Sequence, residues 1–120
     1  MRQKANLKGR FVIEHRDRDG NLKGMYDFPN GIVDEGLEHL LDVGFHGASQ
    51  TAAWYIGLVD NSGFSAFSDN DTLGSHGGWS ENTNYTESNR VEWDEDADSS
   101  RAISNSSTAN FSINASGNIK

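Results

Sequence analysis

The sequence predicts a mainly β fold, an antiparallel β-sandwich or a jelly-roll-like domain with one short α-helix packed on it. Short segments with apolar residues at alternate positions are separated by turn residues, and one segment alone has a helical apolar stripe. Gly, Ser, Asn and Asp are abundant, while hydrophobic residues make up 34% of the chain. A length of 120 residues fits a single β-rich domain over residues 1–120.

A β-hairpin is predicted near the start of the chain. Apolar residues alternate with other residues over residues 7–16, which is the period of a half-buried strand. Asp19 and Gly20 follow as a two-residue hairpin turn, and residues 22–28 have the pattern of the returning strand. The first structural element is therefore expected to be a pair of antiparallel strands.

One helix is predicted, over residues 33–43. Asp34 and Glu35 stand in its first turn, where negative side chains interact favourably with the helix dipole, and Gly44 is a natural stop. The apolar stripe is expected to cover one side of a sheet. The residues that recur at helical spacing are Ile32, Val33, Leu37, Leu40 and Leu41.

The middle of the chain predicts a buried strand followed by a long ordered loop. Residues 53–60 are apolar on both faces, which is typical of a central strand. Residues 64–84 are rich in Gly, Ser and Asp but contain aromatic residues that could anchor them, so we expect a structured loop. Long ordered loops often carry function, and this loop is the first place to look for it.

Short strands are predicted in the last third of the chain, at residues 90–93, 102–103 and 110–114. Ile119 and Lys120 then have the pattern of the first step of a further strand. The pattern therefore stops in the middle of a strand, which predicts that C-terminal strands are missing.

The charge and the composition exclude several classes of partner. The formal net charge of -8 opposes binding to nucleic acid and to anionic membrane surfaces. No segment is long and apolar enough to span a bilayer, so we expect neither nucleic acid nor membrane as a partner. Cysteine is absent, which excludes disulfides, thiolate metal sites and cysteine nucleophiles.

The polar residues form no recognisable catalytic or metal-binding motif. Asp17, Asp19 and Asn21 alternate as in a calcium loop, but Gly20 comes too early for an EF-hand, so a hairpin turn is the favoured interpretation. There is no G-x-S-x-G nucleophile motif and no glycine-rich phosphate loop. We therefore expect a non-enzymatic chain without catalytic residues, cofactor or metal. The histidines, which lack zinc-ligand spacing, are His15, His39, His46 and His76.

The aromatic residues allow two interpretations. They could fill the core and the interfaces of a small sandwich, which is the favoured reading. Alternatively they could form a platform for sugars, because aromatic faces stack on the apolar faces of sugar rings. An exposed aromatic cluster on one concave face would favour the second reading. The candidates are Trp54, Tyr55, Trp79, Tyr85 and Trp93.

Five motifs are distinctive in combination: NGIVDEGLEHLLD at residues 30–42, WYIGL at 54–58, DT at 71–72, SHGGWSE at 75–81, and Tyr85. Together they resemble a family of small uncharacterised virion structural proteins of tailed bacteriophages. The resemblance extends over roughly residues 7–115, although none of its motifs is a catalytic signature. It implies a virion component, either a head decoration or cement protein or a tail-associated protein, and no catalytic residues.

The sequence thus predicts a structural component that acts by assembly in the virion. Its expected partners are other virion proteins and copies of itself, in a homo-oligomer on the particle. The alternative is a carbohydrate-binding module on a phage appendage, and an enzyme is the third class. The residues expected to contact a partner are the apolar side chains of the long loop, Phe64, Phe67, Leu73 and Trp79.

Overall fold

The computed structural model describes residues 1, 2, 4 and 6–120. It is mainly β: these residues contain six strands in three antiparallel pairs and one helix. They divide into two compact units, which are described separately. Unit 1 comprises Met1–Ala48 and Asp69–Thr72, and unit 2 comprises Ser49–Ser68 and Leu73–Lys120. The expectation of a single domain stays a prediction.

Unit 1 begins with the predicted hairpin. Strand β1 (Gly9–Arg16) pairs antiparallel with β2 (Leu22–Asn30). In this register Phe11 lies opposite Phe28, and their ring centroids are 6.0 Å apart. The alternating pattern therefore placed these two residues on one face of the hairpin, as aromatic cross-strand pairs require.

The turn of this hairpin is organised by the side-chain carboxylate of Asp17. The side chain of Asp17 accepts hydrogen bonds from the backbone N–H of Asp19 and of Asn21, both at 2.9 Å, and from Asn21 Nδ2 at 3.1 Å. Gly20 has a φ of 86°, which suits glycine. The hydrogen bonds from Asn21 contribute most to lowering the pKa of Asp17 below its ordinary value, because they favour the ionised form of the carboxylate.

Helix α1 (Asp34–Phe45) begins one residue later and ends two residues later than predicted. Gly44 lies inside the helix, so its assignment as the stop was wrong; the left-handed residue after the helix is Gly47, with a φ of 77°. The Asp34 N–H donates to the Asp69 carbonyl at 2.8 Å. Within unit 1 the described residues of α1 do not approach β1 or β2 closely. None of the described helices is long and apolar enough to cross a membrane.

Unit 2 contains four strands of three residues each. The predicted strand over residues 53–60 is divided into β3 (Trp54–Ile56) and β4 (Leu58–Asp60). Strand β3 pairs with β6 (Val91–Trp93), and β4 pairs with β5 (Ser80–Asn82). Strand β5 falls within residues predicted as loop, because three polar residues carry no hydrophobic period.

The last residues of the chain also pair with β4. Ile119 forms an antiparallel bridge with Asp60, and the Lys120 N–H donates to the Val59 carbonyl at 2.9 Å. The strand-like pattern predicted for Ile119 and Lys120 is thus confirmed at the level of a single bridge. Strand β4 consequently has a partner on each edge, β5 and residues 118–120.

The buried centre of unit 2 lies around Tyr85. This side chain is buried and contacts the Phe111 ring edge to face at 5.1 Å, while the backbone of Tyr85 forms an antiparallel bridge with Ile113. Asn82 is buried as well, and its side-chain oxygen accepts from the Asn84 N–H at 2.9 Å. Among the described residues, only Tyr85 and Asn82 are buried, so most apolar side chains remain partly exposed.

Candidate functional site

The two parts of the long loop that belong to unit 2, residues 64–68 and 73–84, are joined by contacts near Ser65 and Gly78. The backbone N–H of Ser65 donates to the Gly78 carbonyl at 2.8 Å, and the Ser65 hydroxyl donates to the same oxygen at 3.2 Å. A Cβ on Gly78 would overlap the carbonyl oxygen of Ala66. Glycine therefore allows the two ends to approach at this point.

Aromatic rings cluster along the closed loop. Phe64 and Phe67 meet edge to face at 4.9 Å, and Phe67 lies 6.2 Å from Trp79. His76 stacks on Trp79 at 3.7 Å, and its Nδ1 lies 2.9 Å from the Trp79 carbonyl oxygen. A carbonyl can only accept, so Nδ1 carries the proton. His76 therefore anchors this part of the loop by a hydrogen bond and by stacking.

The four residues expected to contact a partner fall into two pairs. Phe64 and Trp79 are half-buried, and the ammonium of Lys120 lies 4.5 Å from the centroid of the Phe64 ring. Phe67 and Leu73 are 60% and 61% exposed. The loop thus exposes two large apolar side chains to solvent, and contacts between its own residues hold it in place. Their role in binding a partner stays a prediction.

An ion pair lies at the point in residues 54–60 where the strand partner changes from β6 to β5. Arg90 Nε and Nη2 bind the two carboxylate oxygens of Glu81, each at 2.6 Å, in the bidentate arrangement that suits a guanidinium. The hydrogen bonds to Glu81 and its negative charge raise the pKa of Arg90. Glu81 belongs to β5 and Arg90 directly precedes β6, so the pair links the two strands that flank the change of partner.

Gly57 makes room for this ion pair. A Cβ at Gly57 would lie 2.7 Å from Glu81 Oε1 and 3.5 Å from Arg90 Cδ and Nε. The ion pair therefore lies directly against the backbone of the 54–60 segment. Because side chains alternate along a strand and Val59 pairs with Glu81, the same face carries Tyr55. Tyr55 is 57% exposed.

A groove of about 350 Å³ runs along this part of unit 2. Three of the five aromatic residues considered as a sugar platform, Trp54, Tyr55 and Trp79, line it together with Leu73. Glu81 and Arg90 supply its charged groups. The two remaining candidates lie elsewhere: Trp93 is opposite Trp54 on β6, and Tyr85 is buried.

The groove has an apolar wall and one ion pair, Glu81 with Arg90, whose charges cancel. Its charged lining is one guanidinium and one carboxylate, so the local charges cancel. No group of three or more His, Asp or Glu side chains that could hold a metal ion occurs among the described residues. Such a lining can hydrogen-bond hydroxyl groups and stack on a flat apolar surface.

Sequence reasoning missed the Glu81–Arg90 pair. The two residues were treated as part of a loop and as the start of a strand, and nothing in their spacing indicates a contact. The available signal was Gly57, because an isolated glycine inside an apolar strand often marks the close approach of another group. This glycine predicts that another group approaches the strand at residue 57, but it does not predict that this group is the Glu81–Arg90 pair.

No family model, curated protein or solved structure matches this chain.

Proposed function

We propose that this chain is a non-enzymatic structural component of a tailed-phage virion that acts by assembly on the particle. It is a head decoration or cement protein, or a tail-associated protein, and its partners are other virion proteins and copies of itself in a homo-oligomer. The resemblance of the sequence motifs to virion structural proteins supports a location in the virion. The exposed apolar side chains support assembly, since they need a surface to cover them.

The observation that carries the proposal is the exposure of Phe67 and Leu73 on a closed loop. Burying the exposed parts of both side chains against a partner contributes roughly 2–4 kcal/mol, taking full burial of each as about 1.5–3 kcal/mol. The contacts of Ser65 with Gly78 hold the ends of the loop before any partner arrives. Little conformational entropy is then lost on docking, which favours an interface at this place.

The hairpin of unit 1 supports assembly independently. A two-stranded hairpin is marginal in water unless a third strand or another layer covers it. This hairpin exposes large apolar side chains from both faces and from both strands, so it has surface to offer to a partner. These side chains are Phe11, Val12, Ile13, Leu22, Met25, Tyr26 and Phe28.

The finer architecture is part of the same proposal. We propose that the antiparallel pairs belong to a β-sandwich or jelly-roll-like domain, with α1 packed on it, that is completed when further strands pair with exposed edges in the particle. Hydrogen exchange should then slow in residues 9–30 on incorporation into particles, because new strand partners protect amides. Unchanged exchange in these residues would contradict the proposal.

The function is tested by replacing Phe67 with Ser and measuring incorporation into particles that lack the wild-type chain. Ile103→Ser is the matched control, because Ile103 is 54% exposed but lies outside the loop. Loss of incorporation for Phe67→Ser alone, with both variants folded by circular dichroism, is the expected result. Normal incorporation of Phe67→Ser would remove the loop from the interface and leave the strand edges as the alternative.

A further inference from the structure

We infer that the groove along the 54–60 segment is a binding site for a neutral saccharide, in addition to the proposed role in assembly. The site consists of Tyr55 and Trp79 as the apolar surface and of the Glu81–Arg90 pair as the hydrogen-bonding group. Its volume of about 350 Å³ lies at the lower end of the range of roughly 300–1,000 Å³ for small-ligand sites. A mono- or disaccharide unit fits this size.

The aromatic wall suits the apolar face of a sugar ring. Tyr55 is 57% exposed, and Trp79 lines the same concave surface. The C–H groups on one face of a pyranose carry a small positive charge, and the face of an aromatic ring is negative. Stacking a sugar on these rings covers apolar surface on both partners while the hydroxyl groups point outward.

The ion pair offers both donors and acceptors to those hydroxyl groups. Two of the five N–H donors of Arg90 bind Glu81, and each Glu81 oxygen accepts one of them. The remaining N–H donors of the Arg90 guanidinium therefore lie beside the remaining lone pairs of the Glu81 carboxylate. Neighbouring hydroxyl groups on a sugar each donate and accept, so they match such a pair better than an apolar ligand does.

The charge distribution selects a neutral ligand. Glu81 neutralises Arg90, and Glu92 lies opposite Tyr55 in the β3–β6 register, which adds a negative charge to the same face. The whole chain carries -8. An acidic sugar would therefore meet a repulsive field without an uncompensated cation to offset it.

The site is held in place before a ligand arrives. The ion pair is bidentate and lies against Gly57, where there is no Cβ to displace it. Trp79, which lines the groove, is stacked by His76 and belongs to a loop whose ends are joined by Ser65 and Gly78. Preorganised groups lose little entropy on binding, which favours specific recognition even in a small site.

The test uses the full chain and amide NMR titration with neutral and acidic sugars. The probes are maltotriose, cellotriose, chitotriose, lactose and sialyllactose. We expect at least one neutral sugar to shift amides in residues 54–59 and 79–82. Tyr55→Ala should weaken that binding about ten-fold or more, while Tyr26→Ala, at 56% exposure a matched control in unit 1, should change it by less than about two-fold.

The remaining variants separate loss of binding from loss of folding. Tyr55→Phe keeps the ring and should retain affinity within about three-fold, whereas Arg90→Lys keeps the charge, loses the fork and should weaken binding about five-fold or more. The inference is overturned if no neutral sugar binds or if sialyllactose binds more tightly than lactose. Equal losses for Tyr55→Ala and Tyr26→Ala would overturn it as well.

Discussion

Two adjacent glycines in the long loop should respond in opposite ways to the same substitution. Gly77 and Gly78 both have ordinary backbone φ values, so alanine is not strained at either position by the backbone itself. A Cβ on Gly77 would meet open space. A Cβ on Gly78 would overlap the Ala66 carbonyl oxygen and lie 3.2 Å from Ser65 Oγ, and a backbone oxygen cannot rotate away.

The size of the effect follows from the contacts that must move. Forcing an extra methyl group against packed backbone costs typically about 1–3 kcal/mol. Moving the loop segments around Ser65 and Gly78 apart also weakens two hydrogen bonds, each contributing about 0.5–1.5 kcal/mol. The smaller conformational freedom of alanine in the unfolded chain offsets about 0.4–1 kcal/mol. Gly78→Ala should therefore destabilise by about 1–5 kcal/mol.

Denaturant unfolding followed by tryptophan fluorescence measures this difference, because Trp79 lies next to Gly78. Gly77→Ala should leave the free energy of unfolding unchanged or raise it by up to about 1 kcal/mol. Similar stabilities for the two alanine variants would refute the closure of the loop between Ser65 and Gly78. The same result would remove the argument that the loop is preorganised for a partner.

Two further predictions concern the turns. Arg101 has a φ of 67° in the tight turn between Ser99 and Ala102, so Arg101→Gly should raise the free energy of unfolding by about 0.5–1 kcal/mol, measured by urea unfolding; a loss of stability would show that the Arg101 side chain makes a stabilising contact. The pKa of Asp17 is lowered in the folded chain, so its contribution to stability is present above its unfolded pKa of about 3.9 and is lost as pH falls through the lower folded value. Carboxyl NMR titration should show this low midpoint. Asn21→Ala removes the Nδ2 donor but keeps the backbone N–H that contributes most, so it should raise the midpoint only part of the way toward the ordinary value; a midpoint fully restored to that value would contradict the assigned cause.

Local patterns in the sequence determined the first elements of this protein. The alternation over residues 7–16 and the turn residues that follow it specify a hairpin because both act between near neighbours in the chain. The connection comprises residues 17–21, so the predicted two-residue turn at Asp19-Gly20 was too short. The 3.6-residue period likewise specified helix α1. Its end was placed incorrectly, since a glycine inside a helix costs only about 1 kcal/mol and neighbouring turns can continue through it.

Only the tertiary structure decided how the later segments pair. The sequence predicted one strand over residues 53–60, but β3 and β4 take different partners on either side of Gly57, and pairing between distant segments leaves no local pattern. The sequence also proposed five aromatic residues as a possible platform without indicating which share a surface. Trp54, Tyr55 and Trp79 meet in the groove because strand pairing and loop closure bring them there, whereas periodicity describes only the face of each separate element.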